Sequence, residues 1–207
     1  EKTGLVGVYD TNIQAARLAR EKHNVLIYEN LDSLLLQCDA VSIATPTFSH
    51  YDVAKKAIKN NCHIFIEKPI TKKISHAEEI IALAHSNNLK LQVGHIERFN
   101  PAYKKFTEKK RNPVFIEAHR LAPYNIRGTD VPVVLDLMIH DIDLVLNLIN
   151  NDIIEIQANG AAVISGFVDL ANARITFKNG AVANLTASRI SDKQMRHIRV
   201  FENNSYS

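Results

Sequence analysis

The sequence predicts an α/β protein in two parts. The first is a parallel sheet flanked by helices that lacks its opening strand–helix unit; the second is an α+β domain with an open antiparallel sheet. Three observations carry this. Short apolar runs alternate with helix-period segments up to about residue 95. No G-x-G-x-x-G occurs anywhere in the chain. From residue 152 onward only strand-like runs follow one long apolar helix.

The elements follow in order. "LVGVYD" (5–10) reads as a strand ending in Asp, and "TNIQAARLAREK" as a helix with Ile13, Ala16, Leu18 and Ala19 on one face. "NVLIYE" (24–29) is a strand and "LDSLLLQ" a short helix. "DAVSIAT" (39–45) is a strand, and "SHYDVAKKAIKN" (49–60) a helix with a weak Ser49/Asp52 capping signal. "CHIFIE" (62–67) is a strand, "SHAEEIIALAHSNN" (75–88) a helix opened by a Ser75/Glu78 capping box, and "LKLQVGH" (89–95) a strand. Strands joined by helices make βαβ units, a parallel sheet and right-handed crossovers. After "ERFNP" come one helix, the strand "VFIEAHRLA" (114–122) and the helix "VVLDLMIHDIDLVLNLI" (133–149). Four strand-like runs then close the chain, with "KNG" (178–180) as a hairpin turn. The expected boundary lies near residue 97, between a domain of Rossmann, dinucleotide-binding type over 1–97 and a second domain over 98–207, for which the family resemblance given below implies substrate binding and oligomerisation.

Composition sets the class. The 207 residues are 46% hydrophobic and 23% charged, as in an ordinary globular protein. A net charge of +3 is too small to argue for a nucleic-acid partner, and the basic run "KKFTEKKR" (104–111) reads as a solvated helix face. No apolar run reaches the length of a membrane span. Cys38 and Cys62 have no metal-type spacing, and a reducing, cytoplasmic setting is expected.

In a parallel α/β sheet, ligands bind at the carboxyl ends of the strands. That rule gathers Asp10, Thr45-Pro46, Glu67-Lys68-Pro69 and Gly94-His95 on one edge. Asp10 suits the ribose hydroxyls of a dinucleotide and would repel a 2′-phosphate, favouring NAD over NADP; it equally suits a cap for the next helix. Thr45, Pro46 and His50 form either a polar rim over the crevice or a plain turn. The doubly wound pattern places a glycine-rich turn on the first strand. The chain opens where the second strand would begin, so about 25–30 upstream residues are expected.

In "DLMIHDID", Asp136 and His140 are i,i+4. A carboxylate beside an imidazole orients it and suits a general base. A structural His–Asp pair or a metal set with Asp143 are the alternatives, and no second His at ligand spacing supports the metal. Arg98 could grip an anion bidentately or bridge the domains, and Asn100 could bond a hydroxyl.

Together "ATPTFSH", "EKP", "GHIERFNP" and "DLMIHD" resemble the Gfo/Idh/MocA family of nicotinamide-dependent oxidoreductases, from residue 3 to about 202. "GHIERFNPA" and "LDLMIHDIDLVL" look most like the branch acting on UDP-N-acetylglucosamine at C3. The resemblance implies NAD as cofactor and a sugar or nucleotide-sugar substrate. Lys68, His140 and Asp136 then take catalytic positions. Asp10, Thr45, Pro46, His50, Glu67 and Lys68 take cofactor positions, and Arg98 and Asn100 substrate positions. It also implies a homo-oligomer formed through the antiparallel sheet. The missing glycine-rich turn and the early end at "ENNSYS" suggest a fragment. The alternative reading is a catalytically inactive remnant or an oligomerising piece of such an enzyme.

Overall fold

The computed structural model describes residues 4–125, 131–203, 205 and 206. The chain divides into two compact units, residues 1–94 and 95–207.

In the first unit, β1 (Gly7–Val8) pairs in parallel with β2 (Leu26–Ile27), and α1 (Ile13–His23) connects them. Asn12 caps α1 by accepting from the backbone N–H groups of Gln14 and Ala15, and Asn24 closes it in the left-handed conformation. Gly7 has a packing reason: a Cβ there would stand 2.8 Å from the Leu26 carbonyl and 2.5 Å from the Tyr28 ring. After α2 (Leu31–Leu35), a second parallel ladder forms in the order β3 (Ala40–Ile43), β4 (His63–Glu67), β5 (Leu91–Gly94). Helices α3 (His50–Lys59) and α4 (Ile74–Ser86) supply the crossovers. Their buried Ala54, Ala57, Ile58, Ile80 and Ala84 pack against Ile43, Ile64 and Ile66 of the ladder. Among the described residues the two ladders are not hydrogen-bonded to each other.

Neither expected capping box forms. Ser49 turns its hydroxyl to the Thr45 hydroxyl and the Pro46 carbonyl, not to an α3 N–H. Helix α4 starts one residue early, on Ile74, so Ser75 lies inside its first turn and Lys73 occupies the cap position. Thr71 ties the approach by donating to the Lys73 carbonyl at 2.7 Å.

The second unit opens with α5 (Pro101–Thr107), capped by Asn100 and started by a proline at its first position. The six-stranded sheet runs β11–β10–β6–β9–β8–β7. These strands are β6 (Pro113–Leu121), β7 (Ile153–Ala161), β8 (Leu170–Phe177), β9 (Val182–Ser188), β10 (Met195–Glu202) and β11 (Ser205–Tyr206). The sheet is mixed: β6 and β9 pair in parallel, while the other neighbours are antiparallel. The expectation of an antiparallel sheet is corrected at that seam. The β8–β9 turn carries Gly180 at φ 84°, as the "KNG" signal required.

The long helix covers one face of the sheet. It begins with a wide π-turn, Val134–Met138, and continues as α6 (Ile139–Ile149). Met138, Val145, Leu148 and Ile149 pack on Ile116, Ala118, Ala173, Ala183 and Leu185. The alanines on that face let the helix axis approach closely, and α6 ends on a left-handed Asn150. Among the described residues no helix is long and apolar enough to cross a membrane.

Candidate active site

In the first unit the edge formed by the strand ends is built around one buried histidine. His50 is 1% exposed and sits at the start of α3. Its Nε2 meets the Thr45 carbonyl at 2.8 Å, and its Nδ1 meets the Pro69 carbonyl at 2.9 Å. The ring therefore ties the end of β3 to the end of β4. Sequence reasoning placed His50 on the crevice rim; its ring is instead engaged by two backbone carbonyls, so it shapes the edge through the turns it holds. Thr45 also accepts from the Ser49 hydroxyl at 2.8 Å, which fixes the Thr-Pro turn.

Lys68 follows β4 directly, is half-buried, and is joined to Pro69 by a cis peptide bond. Pro69 is buried. Glu67, the last residue of β4, pairs with Gly94 of β5 and lays its carboxylate over that glycine. A Cβ at Gly94 would lie 3.1 Å from the carboxylate atoms, so the side chain lies where only glycine leaves full room. Asp10 is exposed just after β1, and its Oδ1 accepts from the Asn12 N–H at 2.7 Å. Asp10 thus holds the backbone of Asn12, and the cap of α1 is Asn12 rather than Asp10. Asp10, Thr45-Pro46, Glu67-Lys68 and Gly94 all stand at the carboxyl ends of parallel strands. An exposed acid at the carboxyl end of a parallel strand is of the type a dinucleotide's ribose takes.

The second unit holds the other candidates. Asp136 lies in the π-turn and His140 at the start of α6, both half-buried. The wide turn alters the phase between them, so the i,i+4 geometry of a regular α-helix does not apply. The Pro132 carbonyl accepts from both Leu135 and Asp136 and sets this turn. π-turns recur at functional sites.

Around them lie two ion pairs. Arg98 grips Asp143 bidentately, at 2.7 and 2.6 Å, which raises the guanidinium's pKa further. His95 Nδ1 stands 3.8 Å from the same carboxylate. Arg98 is thus already engaged by a carboxylate of its own unit. Asn100 is engaged too: its carbonyl oxygen caps α5 through the Ala102 N–H at 3.0 Å, and its amide donates to Glu97 at 3.3 Å. The second pair was not legible in the sequence. Arg120 on β6 is 6% exposed and bonds Asp141 at 2.7 and 3.1 Å, and Glu97 at 3.1 Å. Burial pushes the Asp141 carboxyl up, and Arg120 pulls against it with the smaller effect. Burial also works to raise Glu97, but the Arg120 bond and charge, with Asn100, carry it below the usual carboxylate range. A cavity of about 350 Å³ opens beside this pair, walled by Tyr103, Phe106, Leu144, Ile198 and Val200. One signal was available: Arg120 continues the inward-facing series Ile116, Ala118, where an apolar residue was due.

Among the described residues no group of three or more His, Cys, Asp or Glu side chains could hold a metal ion. Cys62 is buried and donates to the Cys38 carbonyl at 3.2 Å, and burial pushes both thiols up.

Comparison with known proteins identifies the family of both units. Residues 1–95 match the family profile described as "Oxidoreductase family, NAD-binding Rossmann fold", and residues 115–203 match "GFO/IDH/MocA C-terminal domain". The chain is 38% identical over 204 residues to UDP-N-acetylglucosamine 3-dehydrogenase of Acidithiobacillus ferrooxidans, covering 98% of this chain and 65% of that protein. A solved structure of that enzyme superposes with a TM-score of 0.89 at 39% identity, over 95% of this chain and 65% of the other. The scyllo-inositol 2-dehydrogenase (NAD(+)) of Bacillus subtilis is 29% identical over 86% of this chain and 56% of its own length. The chain thus spans less than two thirds of these relatives. With one profile on each unit, the chain belongs to the Gfo/Idh/MocA family of oxidoreductases.

Proposed function

We propose that the chain forms the cofactor- and base-bearing part of an NAD-dependent dehydrogenase acting on a hydroxyl carbon of a sugar or nucleotide sugar, with C3 of UDP-N-acetylglucosamine as the leading candidate. The observation that carries the reading is the Glu67-Lys68-Pro69 strand end together with the "DLMIHD" helix, in a chain 38% identical to a UDP-N-acetylglucosamine 3-dehydrogenase. Bound NAD supplies the hydride acceptor. His140 takes the proton of the substrate hydroxyl as its carbon gives up hydride and the C=O bond forms. The Lys68 ammonium donates to that oxygen and favours the charge developing on it. Asp136 belongs to the same motif, in the π-turn that leads into the helix of His140. Asp10, Thr45, Pro46 and Glu67 shape the dinucleotide edge, with His50 holding its turns. Arg98, through its pair with Asp143, and Asn100 order the substrate side.

The two separate parallel ladders suit a further strand. In a doubly wound order the first strand and its glycine-rich turn lie between the strands corresponding to β1 and β3. Assembly through the outer face of the six-stranded sheet belongs to the same proposal. Gln157, Arg174, Asn184, Glu117 and Arg199 form one polar row across that face. The free cysteines fit a reducing, cytoplasmic setting.

The test is NADH fluorescence titration followed by a panel of UDP-sugars, inositols and free sugars with NAD, read as NADH formation. Turnover of UDP-N-acetylglucosamine is expected. His140→Ala should lower turnover by roughly 10²–10⁴-fold while NADH binding persists. Lys68→Ala should lower turnover as well. Wild-type turnover in either variant removes that residue from the chemistry, and absence of NADH binding removes the cofactor reading for this chain.

A further inference from the structure

The residues that lead into the π-turn are held by a buried ion pair that the mechanism above does not use. Arg189 directly follows β9 and is 4% exposed, and Asp169 directly precedes β8 and is fully buried. The Arg189 guanidinium donates from Nη2 to the Val131 carbonyl at 2.6 Å, and its Nε stands 3.8 Å from Asp169 Oδ1. The backbones are tied as well. The Arg189 N–H donates to the Asp169 carbonyl at 3.0 Å, and the Val133 N–H to the Val168 carbonyl at 2.9 Å. Asp169 is fixed in turn by its own loop, its Oδ2 accepting from the N–H groups of Val163, Ile164 and Ser165 at 2.8–2.9 Å. Between Val131 and Val133 stands Pro132, whose carbonyl accepts from Leu135 and Asp136 at 2.9 and 3.1 Å. The residue that sets the π-turn is therefore pinned on both sides, at Val131 by a side chain and at Val133 by the backbone.

We propose that Arg189, seated on Asp169, is a positioning residue for the base: by holding the Val131 carbonyl it keeps the π-turn wide and sets where Asp136 and His140 stand. Its part in the reaction rests on the dehydrogenase reading above; its hold on the turn does not. An ion pair taken out of water gains little net stability, because desolvation offsets the attraction. What a guanidinium adds is direction, since its rigid planar fork fixes a carboxylate and a carbonyl at once. The π-turn needs such a hold. It is a rare backbone state, and tightening to a regular helix would shift Asp136 against His140 by one residue, roughly 100° around the axis. Val134–Met138 and Ile139–Ile149 run on without a break, so a displacement at Pro132 passes directly into the turn that presents His140.

The test is native-state hydrogen exchange, read by NMR on the whole chain without cofactor or substrate. The amides of Leu135 and Asp136, which Pro132 holds, are compared with those of Ala173 and Ile175 in the middle of β8. Arg189→Met keeps the bulk of the stem and removes the donors. It should speed exchange at Leu135 and Asp136 about tenfold more than in β8. Arg189→Lys keeps a cation beside Asp169 without the planar fork, and should show the same selective rise, reduced. If Arg189→Met does not fold, Arg189→Lys decides. In whichever variant folds, exchange that changes equally at the turn and in β8, or at neither, overturns the proposal. With UDP-N-acetylglucosamine and NAD, Arg189→Lys should lower kcat while the KM for NAD stays near the wild-type value, and an unchanged kcat overturns the part in the reaction. Where wild type forms no NADH from UDP-N-acetylglucosamine, the dehydrogenase reading falls, while the exchange rates still decide what Arg189 does to the turn.

Discussion

His50 shows how a single side chain sets the geometry of an edge that other residues use. Its two ring nitrogens face two carbonyls from strands that are neighbours in the sheet but distant in sequence, a neutral ring donating to one of them, and it is almost completely buried. Removing it leaves the carbonyl that accepts its N–H without a donor, at about 1–3 kcal/mol, and empties the buried space the ring fills. His50→Ala is therefore expected to lower unfolding stability by roughly 2–4 kcal/mol in urea denaturation. An unchanged midpoint would show that the ring contributes nothing. The sequence places Lys68 correctly at a strand terminus, because β-branched residues followed by proline mark one locally. It does not reveal that Arg98 and Asn100 are each engaged inside their own unit. Arg98 finds Asp143 forty-five residues away, and no local pattern announces such a pair.

At the scale of the element, order and type follow from periodicity, and the misses concern pairing. Helices α1, α3, α4 and α6 appear where the 3.6-residue pattern puts them. The capping boxes fail because a one-residue shift moves Ser75 into the helix and because Ser49 prefers the Thr45 turn. The loop before β8 has its own anchor, equally hidden in the sequence. Asp169 is fully buried and accepts from the Ser165 hydroxyl and from the backbone N–H groups of Val163, Ile164 and Ser165, at 2.8–2.9 Å for the backbone bonds. The Ser165 bond, then the backbone bonds, hold its carboxyl well below the usual range against burial. Its folded pKa is depressed, so its stabilisation is full above the unfolded value near 3.9 and is lost as pH falls toward the folded value. Asp169→Asn should thus be less stable than wild type by a constant margin at neutral pH. That margin should shrink below about pH 4. Thermal melts across pH check this, and a margin that widens in acid contradicts it.

For the molecule as a whole, two units each carry their own core, and a family profile matches each of them. The outer face of the six-stranded sheet is where the proposed assembly can be challenged. Arg174→Glu reverses a charge in the middle of the polar row beside Asn184, to which Arg174 donates at 3.1 Å. It should shift the particle toward the monomer in light scattering, and an unchanged mass would place the interface elsewhere. The parallel seam has a further consequence, for synthesis. Strand β6 leaves the ribosome early, yet both of its neighbours, β9 and β10, lie more than sixty residues further along the chain. The nascent polypeptide therefore carries β6 with neither flank paired until the sheet's last long strands emerge, which makes the second unit slow to close and dependent on its C-terminal strands for a folded centre.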